Sequence, residues 1–440
     1  MLLRPPGPDW PFAPARVRPY YGWVILVVST LGILASIPGQ TMGVAVFTEP
    51  LMAALGLDRT TLSLAYLAGT VGSSLFLTSA GRLYDRVGGR VLVVAASLGL
   101  GVVLVFLAVL DRILAQLGAV GGAGAFLLVL LAYLGVRFFG QGVLTSASRN
   151  LLLPWFERRR GLVGGIRGVF VSLGFSLAPP VLAALIALFD WRGALLALAL
   201  VCGPVFALVA LLLARDAPEP CGLLPDGEPP GEDAPPAPPP GGFSLDAARR
   251  HPGFWLYSLS LAMHALFGTA VTFHVVSIFA EAGRTAGEAF GYFLPVALVS
   301  TTTNLVASAW SDRAPLRPFL VAMHLCFLLM VAGLALLASE GGYWLLVAGQ
   351  GIGGGIWGMV SNLAFVRLFG RAALGAVSGL NASLMVFFSA IGPAFFALGL
   401  DLSGSFRAPT VLCGVGFLAL LAFALLLPRT LDGERAPSSG

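Results

Sequence analysis

Apolar runs long enough to cross a bilayer recur along the whole chain, and this leaves few folds open to it. A spanning helix needs roughly 20 mostly apolar residues. With 440 residues, 57% of them hydrophobic and only 11% charged, the chain has room for about a dozen such spans. The bilayer core offers no water to hydrogen-bond a free backbone, so only helices or closed barrels can cross it. Barrel strands read as short alternating segments, which are missing here, so the spans are expected to be helices. The pattern places them near residues 21–47, 61–80, 91–110, 122–144, 162–188 and 193–213, then 253–280, 287–310, 319–338, 343–366, 376–400 and 409–427. Between the two sets lies a Pro-, Gly- and acid-rich stretch, 215–251, with the run Pro238-Pro239-Pro240; it reads as a disordered linker. The expected fold is an all-α membrane protein of twelve transmembrane helices in two pseudo-symmetric six-helix bundles, 20–214 and 252–428. Residues 1–19 and 429–440 form cytoplasmic tails.

Orientation follows from arginine, which supplies all 26 basic residues. With both termini inside, nineteen arginines fall in cytoplasmic segments and five (Arg59, Arg112, Arg192, Arg284, Arg407) in outer loops. That asymmetry is the positive-inside pattern of a cell-membrane protein, and it removes any need to read the +5 charge as nucleic-acid binding. The first apolar run is too long for a cleavable signal. Four cysteines (Cys202, Cys221, Cys326, Cys413) show neither paired nor metal spacing, so no disulfide framework, metal or cofactor is expected.

The halves echo each other. Gly140-Gln141-Gly142 in the fourth span recurs as Gly349-Gln350-Gly351 in the tenth, and Arg160-Gly161 has a counterpart in Gly370-Arg371. Asp85-Arg86 after the second span recurs as Asp312-Arg313 after the eighth. Three matches in register argue for a duplicated six-helix unit.

The densest charge lies at Gly81-Arg82-Leu83-Tyr84-Asp85-Arg86-Val87-Gly88-Gly89-Arg90, expected as a tight polar hairpin between spans. At Gly81, Leu83, Asp85, Arg86, Gly88 and Arg90 it resembles the Gly-x-Leu-x-Asp-Arg-x-Gly-x-Arg loop of the major facilitator superfamily. Tyr21-Gly22-Trp23, Trp155-Phe156 with Arg159-Arg160-Gly161, Phe273-His274, Phe369-Gly370 and Gly392-Pro393 are similar to the subgroup of monocarboxylate and oxalate–formate carriers. The resemblance implies a secondary carrier working by alternating access, with the hairpin as inner gate facing the start of the eleventh helix. A helix N-terminus carries roughly +0.5 of a charge, which would attract Asp85. Arg86 and Arg90 would pair with acids or helix-end carbonyls across the seam, and Asp312 and Arg313 form the worn second copy. A purely topogenic basic loop is the alternative, although Asp85 adds nothing to topology.

Ionisable groups inside spans are costly and therefore informative. Arg137, mid-span, is either an anion-binding or state-switching charge or a structural arginine bonded to carbonyls of the first or fifth helix. Arg167 either contacts substrate or snorkels to the cytoplasm. His274 is either a proton carrier or a packing histidine. No Asp or Glu lies deep in any span. The Asp–Arg pair that the resemblance implies for the eighth helix falls here on Ser300 and Asn304, so both charges are missing. Gln40 and Thr41 beside the Pro38-Gly39 break, with Asn304, Trp357 and Asn362, complete the candidate substrate lining. No convergent nucleophile, base or metal cluster points to an enzyme. The expected function is transport of a small organic anion, such as a carboxylate, by a monomer in the lipid bilayer, with a coupling ion or counter-substrate. Efflux of a neutral or drug-like solute, and a transport-fold sensor, are the alternatives.

Overall fold

The computed structural model describes residues 7–227 and 241–427, and within them the long elements are all helices. Among the described residues, eleven stretches are long and apolar enough to cross a membrane. One of them, Arg160–Leu213, runs for 54 residues but is broken at Asp190, whose φ of 61° and ψ of 164° are not helical. Its two arms are the fifth and sixth spans, which gives the twelve expected from the sequence.

Several spans are interrupted, the first and fourth among them. The first helix, Gly22–Ala35, stops at a 3₁₀ turn, Ile37–Gly39, and resumes as Thr41–Val46. Pro38 has no N–H to continue the helical ladder, and Gln40 is extended (φ −80°, ψ 156°). The fourth span runs from Ala123–Val136 through a π-helical stretch, Arg137–Leu144, into Thr145–Leu152. Such wide turns collect at functional sites because they free backbone groups and re-aim side chains.

The charged decapeptide is not the loop expected from its composition. The second span, Arg59–Val87, stays helical through Asp85 and Arg86, and the third begins at Gly89. Gly88 alone turns the chain, at φ 86° and ψ 158°. A Cβ on Gly88 would also strike the Asp216 carboxylate. That carboxylate caps the third helix, accepting from the Arg90 amide at 2.7 Å. Burial pushes the Asp216 carboxyl up from its ordinary range, and the amides of Arg90 and Gly89 pull it partly back. Gly88→Ala is therefore expected to cost about 2 kcal/mol or more, from backbone strain and overpacking together. Thermal unfolding in detergent checks this: a melting temperature equal to wild type would refute it.

The predicted disordered linker is ordered at both described ends. Arg215 is buried and Asp216 half-buried against the helix ends, followed by 3₁₀ turns at Glu219–Cys221 and Pro225–Gly227. On the far side, Gly242 bridges Gly370, and Ser244 caps Leu245–Ala248 by accepting from Ala247 N at 3.2 Å. Proline and glycine content hid these contacts, which are polar and few. Residues 228–240 and the predicted tail 429–440 lie outside the described residues.

The chain clusters into two compact units. The first holds the described residues of Met1–Glu157, Leu173–Pro239 and Leu374–Ser383; the second holds those of Arg158–Ser172, Pro240–Ala373 and Leu384–Gly440. Two helix starts cluster apart from the remainder of their helices. The beginning of the fifth span, in Arg160–Leu200, belongs to the second unit, and the beginning of the eleventh, in Leu374–Ser403, belongs to the first.

Candidate functional site

In the first unit, the broken first span and the π-turn of the fourth meet in a polar cluster. Arg137 is 2% exposed, and its Nη1 donates to Gly39 O at 3.1 Å and to Thr41 Oγ1 at 3.4 Å. The Tyr66 ring lies over the guanidinium at 5.2 Å, and its hydroxyl donates to Thr41 Oγ1 at 3.0 Å. Tyr66 is in turn packed edge-on against Tyr133. Gln40 Nε2 donates to Ser36 Oγ at 2.9 Å and Thr145 Oγ1 at 3.1 Å. Three predicted residues, Gln40, Thr41 and Arg137, therefore come together. Among the described residues Arg137 makes no ion pair, and its Nε has no hydrogen-bond partner. A buried cation held by a carbonyl, a hydroxyl and an aromatic face keeps its charge available, whereas a carboxylate partner would neutralise it.

The second unit holds a second guanidinium. Arg167 does not snorkel: it is 2% exposed and its Nη2 donates to Asn362 Oδ1 at 3.0 Å. At the next residue, Gly168, a Cβ would meet Asn304 Oδ1. Asn304 Nδ2 donates to Gly355 O at 2.9 Å, while its Oδ1 is buried without a partner. Ser172 and Thr301 are hydrogen-bonded at 3.1 Å. Arg167, Asn304 and Asn362 thus lie together. Trp357 stands apart, donating to Leu261 O at 3.1 Å beside a His264 ring stacked on Phe327. His274 joins neither cluster. Its Nε2 pairs with Pro393 O at 3.0 Å and its ring packs between Phe273 and Phe406, which is the packing reading of that histidine.

The helix starts that change unit are each held by an aspartate. In the first unit, Asp85 accepts from Gly375 N at 2.7 Å and Ala376 N at 2.8 Å, at the head of Leu374–Ser403. In the second, Asp312 accepts from Gly161 N at 2.6 Å and Leu162 N at 3.0 Å, at the head of Arg160–Leu200. Both sites are free backbone donors at the positive end of a helix, where a carboxylate is stabilised. A glycine permits each approach: a Cβ on Gly81 would strike Gly375 O, and one on Gly161 would strike Ser308 O.

The arginines of the motif behave differently from expectation. Arg86 and Arg313 are exposed and make no pair among the described residues. Arg90 is 3% exposed and donates through Nε to Leu211 O at 2.9 Å, a helix-end carbonyl within its own half of the sequence. Arg367 lies 3.6 Å from Asp312 and also donates to Ser311 O at 2.6 Å. Neither Arg367 nor Tyr66 stands out in the sequence. A basic residue at a cytoplasmic helix end and an aromatic residue in a span are both commonplace, and only the fold gives these two their partners.

Residues 28–393 match the family profile of the Major Facilitator Superfamily. The chain belongs to that superfamily. It is a multi-pass membrane transporter, not an enzyme. Across 413 residues it is 28% identical to an uncharacterized 38 kDa protein in the 23S RNA operon of Thermoproteus tenax, covering 91% of this chain and 92% of that one. The same facilitator fold appears in the proton:xylose symporter XylE bound to 6-bromo-6-deoxy-D-glucose, with a TM-score of 0.66 at 15% identity, covering 94% of this chain and 97% of the symporter. The Escherichia coli fucose:proton symporter FucP matches with a TM-score of 0.66 at 14% identity, covering 92% and 98%. The human organic anion transporter MFSD10 (TETRAN) matches at 0.59 and 18%, covering 92% and 99%.

Proposed function

We propose that this facilitator moves a small organic anion, such as a carboxylate, across the cell membrane by alternating access, with both termini cytoplasmic. One observation carries the reading. Each compact unit buries an arginine, Arg137 and Arg167, while the acids of the described spans stand at helix ends and kinks. Among the described residues Arg137 makes no ion pair, and such a buried cation is costly unless a mobile anion joins it during the working cycle. The fold itself is neutral on the point, since it serves sugars in the xylose and fucose symporters and organic anions in the human protein. The resemblance to monocarboxylate and oxalate–formate carriers supports the same class. The Asp85 and Asp312 caps are the inner gate: each holds the start of a helix whose remainder belongs to the other unit, so releasing both frees two helix ends together.

Counterflow in proteoliposomes tests the substrate class. Liposomes loaded with lactate, oxalate or succinate are expected to accumulate the labelled anion, and those loaded with xylose or fucose are not. Exchange of the neutral sugars alone, or of nothing in either panel, would sink the anion reading. If counterflow is found, repeating it between pH 5.5 and 8 with and without a proton uncoupler separates proton coupling from exchange.

A further inference from the structure

The described N-terminal segment, residues 7–12, is bound by the last arginine of the gate motif and the first arginine of the linker. Arg90 donates through Nη2 to Trp10 O at 2.9 Å and through Nη1 to Gly7 O at 3.4 Å. Arg215, 2% exposed, donates through Nε to Pro8 O at 2.7 Å and through Nη2 to Phe12 O at 3.2 Å. The remaining donors of both arginines cap the end of Phe206–Leu213, through Leu211 O, Leu212 O and Ala214 O. Trp10 lies over the Arg90 guanidinium at 5.4 Å and Phe12 over that of Arg215 at 5.3 Å.

The segment therefore solvates two neighbouring guanidiniums that share one acid, Asp216. Without its carbonyls and rings, each cation would lose half of its ligands beside a like charge. Arg90 opens the third helix immediately after the turn at Gly88, and Asp85 closes the second helix immediately before it. The turn is a single residue wedged against Asp216, so a shift of Arg90 is passed to Asp85 with little slack.

We infer that residues 7–12 form a strap that positions the gate: docked on Arg90 and Arg215, it holds the Gly88 turn where Asp85 can cap the eleventh span. Arg215 is a positioning residue in this scheme, acting through Arg90 and Asp85. The inference rests on the reading of the Asp85 cap as a gate.

A thiol at Ser378 reads the cap without any knowledge of substrate. Ser378 lies just after the capped amides and accepts from Asn150 Nδ2 at 2.7 Å. Maleimide labelling of Ser378→Cys in membranes, scored by peptide mass spectrometry, is expected to be slow. Trp10→Ala with Phe12→Ala removes both ring contacts and should speed it by about fivefold to thirtyfold, the scale of two cation–π contacts. Strap release itself is read at Cys221, 6% exposed beside the same cluster, which should also label faster. If Cys221 does not respond, removal of residues 2–12 serves as the second variant. Asp85→Asn alone should speed Ser378→Cys labelling, and adding the strap substitutions to it should change nothing further, because both act on one cap. Independent, multiplying effects would mean that the strap is merely structural and would overturn the inference. So would an unchanged Ser378→Cys rate once Cys221 shows the strap released. No effect of Asp85→Asn would bring down the gate reading first, and the strap with it.

Discussion

Arg137→Gln abolishes anion exchange, by more than about 30-fold, and leaves the protein folded in the membrane: this is the expected result if the buried guanidinium is the binding charge. Truncating one partner of a buried charge pair costs about 2–5 kcal/mol, and the substrate anion would be the orphaned partner. The competing account makes Arg137 a brace for the broken first helix, since its Nη1 does bond Gly39 O. The two accounts differ in stability. A brace lost from a buried carbonyl costs about 1–3 kcal/mol and lowers the melting temperature. A functional cation, buried with an unpartnered Nε, is itself a burden, and its removal offsets much of that loss. Arg137→Gln should therefore melt close to wild type in detergent while exchange disappears. Arg137→Lys, which keeps the charge and loses the planar fork, should fall between. A large drop in melting temperature with exchange intact per folded molecule would assign Arg137 to structure. Tyr66→Leu, which uncovers the face of the guanidinium, should raise the KM for the anion more than it lowers the maximal rate.

The sequence shows the span count because apolar length is a one-dimensional property, and the bilayer forces it on every segment. It also shows Asp85, an acid among arginines with no topogenic use, and the break at Pro38, where a missing N–H must interrupt the helix. What it hides is partner choice. The charged decapeptide reads as a loop because its composition is polar, yet helical geometry continues to Val87, and one glycine in a conformation closed to other residues makes the turn. Arg90 looks like a gate arginine but is consumed by the carbonyls of the sixth span and the N-terminal strap. Arg313 looks like the second gate cation, but Arg367 holds that place. The ends of the linker look unstructured because proline and glycine dominate them, whereas a single carboxylate, Asp216, anchors one end to a helix start.

Asp85→Asn and Asp312→Asn are each expected to slow transport severalfold, and together to multiply. An asparagine keeps the size and one acceptor but loses the charge, and its amide group cannot accept from the second backbone N–H. A hydrogen bond to a charged group contributes about 1.5–3 kcal/mol and one between neutral groups about 1 kcal/mol. Each cap then loses roughly 1–2 kcal/mol, or about fivefold to thirtyfold in the population of the capped state. The helix dipole adds to the loss at each site. Transport must pass through that state in every cycle, so turnover follows its population. Because Asp85 and Asp312 hold different helix starts, neither can replace the other, and the double variant should be slower than either single one by a further factor of similar size. Arg86→Gln is the contrasting control. Its side chain is exposed and unpaired, so it should change turnover less than twofold, within the range of ordinary surface substitutions. Turnover is measured in proteoliposomes and normalised to inserted protein. Wild-type rates in both single variants would return the motif to a purely topogenic role. A double variant no slower than Asp85→Asn would mean that only the first copy still works as a gate.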